Sequence, residues 1–251
     1  YGAEPSQFGD LRLPAGAGPH PCAVVIHGGF WRARYDLEHI GHLCRALAGA
    51  GVATWNLEYR RVGEPGGGWP GTFRDVAWGA GFLFEVAPRY GIDAERVVVL
   101  GHSAGGHLAL WLASGAQGTD DPDLDRGMPL RFRGVVALAG VSNLRLAWAL
   151  GLSDRAVEGL LGGTPEEVPD RYAGASPREL VPLGVRQVLI HGDEDENVPV
   201  AVSEGYRAAA VAAGDDVELV VLPGTGHFEP VDPESGAWPA VLGAVTTLVG
   251  R

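Results

Sequence analysis

"VVVLGHSAGGHLALWLAS", residues 97–114, carries an apolar strand-like run into a helix-like run through a corner of glycines, with a single serine, Ser103, at the turn. Gly101 lies two residues before that serine and Gly105 two after, which gives the spacing G-x-S-x-G. At such a corner the serine takes backbone angles that a side chain disfavours, and its neighbours must be small for strand and helix to approach. The hydroxyl is then lifted clear of the strand ends. The N–H of Ala104 falls at a helix N-terminus, where it is unpaired and the helix dipole favours negative charge. The stretch therefore predicts a strand-to-helix turn that exposes a nucleophile beside half of an oxyanion hole. A plain glycine-rich turn shares the same pattern, so the rest of the chain decides between the two.

On both sides of this corner, short apolar runs alternate with longer amphipathic ones. "CAVVIH" (22–27), "VATWNL" (52–57), "RVVVLG" (96–101), "GVVALAG" (134–140), "VRQVLIH" (185–191) and "VELVVLP" (217–223) read as buried strands. Helical patterns fall near residues 36–49, 72–87, 103–114, 200–213 and 235–249. This alternation predicts an α/β fold, a mostly parallel sheet with helices on both faces, in a single domain over residues 1–251. "FGDLRLP" (8–14) alternates apolar and polar residues and adds an expected antiparallel edge strand. Residues 141–183 break the rhythm with short helices punctuated by proline and glycine, a helical insert expected as a lid over the C-terminal edge of the sheet.

Composition narrows the function. With 19 basic against 31 acidic residues the formal charge is −12, and no basic stripe interrupts it, so no nucleic-acid or anionic-membrane partner is expected. Cys22 and Cys44 show neither metal spacing nor a disulfide framework and read as reduced and buried. No apolar run approaches the ~20 residues of a membrane span, and no secretory leader opens the stretch. A cytoplasmic location is the corresponding expectation, and the oligomeric state has no signature.

A serine hydroxyl is a weak nucleophile at neutral pH. It needs a histidine to take its proton and a carboxylate to hold that histidine in the right tautomer. "LPGTGHFEP" places His227 on the loop after the last strand, at the same sheet edge as Ser103, and "LIHGDEDENVPV" places Asp193, Glu194, Asp195 and Glu196 on the equivalent loop before it. The chain order Ser, Asp, His is that of the α/β hydrolases. Asp195 is taken as the acid, Asp193 as an alternative that tightens the turn, and Asn197 as a cap for the following helix. The remaining donors for a tetrahedral intermediate are assigned to Gly29 and Phe30 in "VVIHGGFW", whose glycines let the backbone approach a substrate, together with Ala104.

Taken together, "HGGFW", "EYRR", "GHSAGGHLALWLAS", "HGDEDENVP" and "GTGHF" resemble the α/β-hydrolase superfamily over nearly the whole chain from His27 to His227. The first motif resembles the branch of kynurenine formamidase-like proteins, hormone-sensitive-lipase-like carboxylesterases and prolyl-oligopeptidase-type domains. The resemblance implies Ser103 as nucleophile, Asp195 as acid and His227 as base, with Gly29, Phe30 and Ala104 at the oxyanion position and no cofactor or metal. Phe30 stands where the lipase-like branch carries a third glycine. That departure shifts weight toward a formamidase-like or small-ester enzyme, a short-acyl serine hydrolase of a small ester or amide.

Trp31, Trp69, Trp148 and Phe228 are expected to wall the substrate cleft, whereas Trp55, Trp78 and Trp111 are expected in the core. Arg60 and Asp75 are expected to tie a loop to a helix, and His107, one helical turn past Ser103, to pack or cap. A dipeptidyl-type or prolyl-oligopeptidase-type peptidase is the second enzymatic reading, and a binding module that kept the fold without the chemistry is the third.

Overall fold

A computed structural model describes residues 1–115 and 130–250. The strands are β1 (Gly9–Arg12), β2 (His20–Ile26), β3 (Ala53–Leu57), β4 (Ile92–His102), β5 (Gly134–Leu138), β6 (Arg186–Gly192) and β7 (Val217–Leu222). They form one sheet in the order β1-β3-β2-β4-β5-β6-β7. β1 runs antiparallel to β3 and every other pairing is parallel. The predicted α/β architecture and its antiparallel edge strand are therefore both present.

The central strands are apolar at consecutive positions because both faces of the sheet are covered. Val24, Ile26, Val97 and Val99 point into one core with Phe73, Leu108, Trp111 and Tyr206, which come from α2 (Gly71–Val86), α3 (Ala104–Ala113) and α7 (Ala201–Ala212). Ala23, Val25, Val98 and Leu100 point into the other, against Leu43 and Leu47 of α1 (Gly41–Gly49) and Val241 and Val245 of α8 (Trp238–Val249). Trp55 and Trp111 are buried in the first core as expected, whereas Trp78 is only half-buried and lines a surface cavity with Phe82 and Phe84. Cys22 and Cys44 are free and buried, one in each core.

The stretch between β5 and β6 holds α4 (Leu144–Ala149), α5 (Leu152–Leu161) and α6 (Pro169–Ala175), then a 3-10 turn over Pro177–Glu179. It is fastened to α3 by His107 Nε2 and Trp111 Nε1, which donate to the carbonyls of Ala175 and Gly174 at 2.9 and 3.0 Å. Among the described residues no helix is long and apolar enough to cross a membrane.

Candidate active site

Ser103 joins β4 to α3 with φ +56° and ψ −117°, a conformation that costs a residue with a side chain ~1–3 kcal/mol. Its N–H donates to Leu138 at 2.8 Å, and its carbonyl accepts from His107 N at 3.1 Å, so strand, neighbouring strand and helix share the strain. The flanking glycines are steric necessities. A Cβ on Gly101 would lie 2.1 Å from the carbonyl oxygen of Gly105, and one on Gly105 would lie 2.1 Å from that of Ile26. α3 thus starts hard against the end of β2, which brings the Ala104 N–H beside the turn that follows β2.

In that turn Gly28 lies against Ser103, since a Cβ there would stand 3.2 Å from Ser103 Cβ. Gly29, Phe30 and Trp31 follow with φ of +104°, +49° and +58°. Among the described residues the N–H groups of Gly29, Phe30 and Ala104 have no hydrogen-bond acceptor. One cause is visible in His27, whose Nδ1 faces the Gly28 carbonyl at 2.8 Å while its Nε2 faces Glu58 Oε1 at 2.9 Å. A planar trans peptide points its C=O and N–H in opposite directions, so holding the Gly28 carbonyl toward His27 turns the Gly29 N–H away from it. Tyr59 fixes the same segment, stacking on the His27 ring at 4.4 Å and donating its hydroxyl to the His27 carbonyl at 2.9 Å.

Of the four acidic residues after β6, only Asp195 is buried. Its Oδ2 accepts from His227 Nδ1 at 2.7 Å, and its Oδ1 accepts the N–H groups of Asn197 and Val198, both at 2.8 Å. His191 adds its Nε2 edge 3.2 Å from Oδ2, with its hydrogen directed at the Val198 carbonyl 2.8 Å away. Burial pushes the Asp195 carboxyl up, yet His191, His227 and the Val198 N–H together hold it well below the usual carboxylate range. Asp193 lies outside this pair and accepts the Gly224 N–H at 2.7 Å. Asn197 does not cap α7, because the N-cap position falls on Val200, which is already at helical angles (φ −53°, ψ −29°) and carries no side-chain cap.

His227 sits beside the Ser103 turn through its neighbour: the rings of His102 and His227 are 4.6 Å apart, and His102 Nε2 donates to the His227 carbonyl at 2.9 Å. Among the described residues no direct hydrogen bond joins the Ser103 hydroxyl to the His227 imidazole. Ser103, Asp195 and His227 are 2%, 8% and 6% exposed.

The expected cleft walls divide. Phe228 is 55% exposed and stands edge-on to His227 at 5.0 Å. Trp31 corrects the expectation: its left-handed backbone turns the indole into the core, where it is fully buried and packs edge-on against His107 at 5.2 Å. Trp148 is half-buried, and its two polar contacts stay inside the insert, a hydrogen bond of 2.6 Å to Glu158 and the Arg155 guanidinium over its ring. Arg60 does tie loop to helix, forking onto both oxygens of the buried Asp75 at 2.8 Å. Tyr59, Glu58, His191 and His39 escaped the sequence reading because their roles depend on contacts across the sheet edge. The visible signals were the histidine that opens "HGDEDENVP" and the first two residues of "EYRR", Glu58 and Tyr59, to which the sequence reading assigns no role.

The family profile designated BD-FAE matches residues 10–209. The chain belongs to the BD-FAE family, a family of α/β-hydrolase esterases. Among similar curated proteins, the probable isoprenylcysteine alpha-carbonyl methylesterase ICME of Oryza sativa subsp. japonica is 25% identical over 91% of this chain and 57% of its own length. Esterase LipC of Mycobacterium tuberculosis is 28% identical over 92% of this chain and 59% of its own. The chain thus spans little more than half the length of these relatives. Among solved structures, esterase B from Lactobacillus Rhamnosis (HN001) superposes with a TM-score of 0.84 at 23% identity, covering 100% of this chain and 83% of that one. A truncated carbohydrate esterase from gut microbiota gives 0.79 at 22% identity, covering 96% and 90%. These structures share the fold.

Proposed function

We propose that this BD-FAE protein is a serine hydrolase of small carboxylic esters, with Ser103 as nucleophile, His227 as general base and then acid, and Asp195 as the carboxylate that orients it. The observation that carries the reading is the buried Asp195–His227 pair at 2.7 Å, clamped through His102 to the turn that strains Ser103. With Nδ1–H committed to Asp195, the neutral ring presents the Nε2 lone pair to the serine hydroxyl. A seated substrate tightens this contact, which in free enzymes is commonly long.

The Ser103 oxygen attacks the ester carbonyl as its proton passes to His227 Nε2. The negative charge that develops on the carbonyl oxygen is met by the unpaired N–H groups of Gly29, Phe30 and Ala104, each such donor being worth ~3–4 kcal/mol in a site that excludes water. Collapse expels the alkoxide, which takes the proton from His227, and leaves an acyl group on Ser103. Water repeats the sequence with His227 as base and frees the acid. These steps call on no cofactor. The names of the relatives, methylesterases and esterases, support an ester leaving group. The insert of residues 141–183, bound to the oxyanion turn where Arg32 donates to the Ser153 carbonyl, serves in this reading as the lid. The half-buried Phe30, in place of a glycine, keeps the acyl side short.

A fluorophosphonate probe and a screen of p-nitrophenyl esters of rising chain length, aryl formamides and aminoacyl amides test this directly. Covalent labelling at Ser103 and turnover of acetyl to butyryl esters are expected, both abolished in folded Ser103→Ala and His227→Ala variants. An unlabelled Ser103 refutes the nucleophile. Faster turnover of aryl formamides or aminoacyl amides moves the enzyme to the amidase or peptidase reading.

A further inference from the structure

The mechanism above uses His227 and gives no chemical step to two histidines beside it. His102 closes β4, one residue before the nucleophile, and is 1% exposed. His39 lies in the 3-10 turn Leu37–Ile40 ahead of α1 and is half-buried. We propose that His102 is a positioning residue for the hydrolysis assigned above: it holds the backbone of the His227 loop from the nucleophile's own turn, and His39 fixes its ring. The inference rests on that assignment of Ser103 and His227.

The direction of each hydrogen bond follows from what the partners carry. A carbonyl oxygen has no hydrogen, so His102 Nε2, 2.9 Å from the oxygen of His227, bears one and donates it. The neutral ring then has only a lone pair at Nδ1. His39 Nε2 stands 3.1 Å from that lone pair and must be the donor. The chain runs His39 to His102 to the His227 carbonyl, and it has one consistent tautomer at each ring. A second proton on His102 would set N–H against N–H at Nδ1 unless His39 moved its own hydrogen from Nε2 to Nδ1. Burial, with His227 and His39 as neighbours, holds His102 well below the ordinary histidine range and keeps it in the neutral form that the geometry requires. Phe228 packs over all three rings, with centroids 6.2, 6.0 and 5.0 Å from His39, His102 and His227.

Two restraints then act on the base from opposite ends. Asp195 at Nδ1 fixes the rotation of the imidazole, and His102 at the carbonyl fixes the height of its loop relative to Ser103. Removing the second leaves the Asp195 pair intact and allows Nε2 to drift from the hydroxyl. A displacement of ~1 Å in a reacting group costs a rate of order 100-fold.

The test compares His102→Leu, His102→Gln and His39→Phe in the full chain, reading kcat and KM for p-nitrophenyl acetate, the rate of fluorophosphonate labelling, Tm, and the imidazole 15N shifts of the wild type. His102→Leu is expected to lower kcat and the labelling rate by ~30–100-fold with KM little changed. Gln, which can offer an N–H at the position of Nε2, is expected to recover to within ~5-fold of wild type at a similar Tm, and His39→Phe to lose ~3–10-fold. The 15N shifts should show His102 as the Nε2–H tautomer. An Nδ1–H tautomer in the wild type overturns the proposal even if His102→Leu does not fold. So does a Leu variant that keeps kcat within 2-fold, or Leu and Gln variants whose losses simply follow Tm. A wild type that neither labels nor hydrolyses any ester instead refutes the serine-hydrolase reading, and the tautomer still judges the histidine chain.

Discussion

Asp195→Asn replaces an oxygen by an NH2 group of nearly the same size, and the contacts of the carboxylate dictate which way the amide turns. With its NH2 toward the backbone it would face the N–H groups of Asn197 and Val198, each 2.8 Å away, and strand both. Leaving the buried Val198 donor unpaired alone costs ~1–3 kcal/mol. The amide oxygen therefore takes the Oδ1 position, and the NH2 lands where Oδ2 was, 2.7 Å from His227 Nδ1. A donor there selects the imidazole tautomer with its lone pair at Nδ1 and its hydrogen at Nε2, so the ring turns an N–H toward Ser103 and cannot accept its proton. The same exchange in serine proteases drops kcat ~10⁴-fold with the geometry intact, which corresponds to ~5 kcal/mol of lost transition-state stabilisation. kcat/KM for p-nitrophenyl acetate and the rate of phosphonate labelling should both fall by about that factor, while far-ultraviolet circular dichroism remains that of the wild type. Asp193→Asn and Glu196→Gln should stay within ~5-fold of wild type, because neither side chain reaches His227. A loss below ~10-fold in Asp195→Asn, or equal losses in all three, refutes the argument that this carboxylate sets the tautomer.

Three further outcomes follow from the same contacts. Phe30→Gly keeps the backbone N–H and suits φ +49° better than phenylalanine does. It gives up the packing of Phe30 on the core and on Trp31, which offsets that relief and should lower Tm, and it should flatten the fall in kcat/KM from acetyl to octanoyl esters, each methylene in a fitted pocket being worth at most ~1–3 kcal/mol; an unaltered chain-length profile removes Phe30 from the acyl wall. His107 and His39 are each held down to about 4 by burial, so both are neutral in the fold where the unfolded chain takes up protons below ~6.5. Stability is full above that pH and declines as it falls toward 4, by ~1.4 kcal/mol per pH unit for a fully buried group such as His107 and by less for the partly exposed His39. Urea melts of wild type and His107→Leu across pH 4–7 should show a shallower decline in the variant. Gly105→Ala drives a Cβ to 2.1 Å from a backbone oxygen and should abolish folding, whereas Gly205→Ala, in α7 with nothing within 4 Å, should gain ~0.5–1 kcal/mol; a folded, active Gly105→Ala protein would mean that α3 does not abut β2 as described.

How much of this was legible in the sequence depended on how local the cause is. β2, β5 and β6 were readable because strands buried on both faces are apolar at every step, as "CAVVIH" and "GVVALAG" are. The first half of β4 was not. Ile92 to Arg96 extends the strand through polar residues, and the pairing with β2 shifts register between His20 and Cys22, which no periodicity announces. Ser103 was readable because both glycines stand within two residues of it, although only Gly101 is demanded by a local contact, with the Gly105 carbonyl, and Gly105 answers to Ile26 at the end of β2. Trp31 was misplaced because its neighbours in sequence suggest a loop, whereas two successive left-handed residues reverse the direction in which the indole points.

The proposed acid is the instructive case, since four carboxylates crowd one loop and composition ranks none of them. What separates Asp195 is the supply of hydrogens to its two oxygens: two come from the backbone of its own loop, at Asn197 and Val198, and one from His227 across the sheet edge. The local pair follows from a tight turn just after the aspartate, and the distant one depends on where β7 ends. The same division runs through the rest of the centre. Glycines and turns that create room for the chemistry are written next to the residue they serve, as at Gly101, Gly105 and Gly28. The groups that aim it, His27 through Glu58, His227 through Asp195 and His102, come from strands far apart in the chain and meet only when the sheet forms. A sequence can therefore announce a strained serine turn from a few residues, while the orientation of the histidine proposed as its base is a property of the assembled edge.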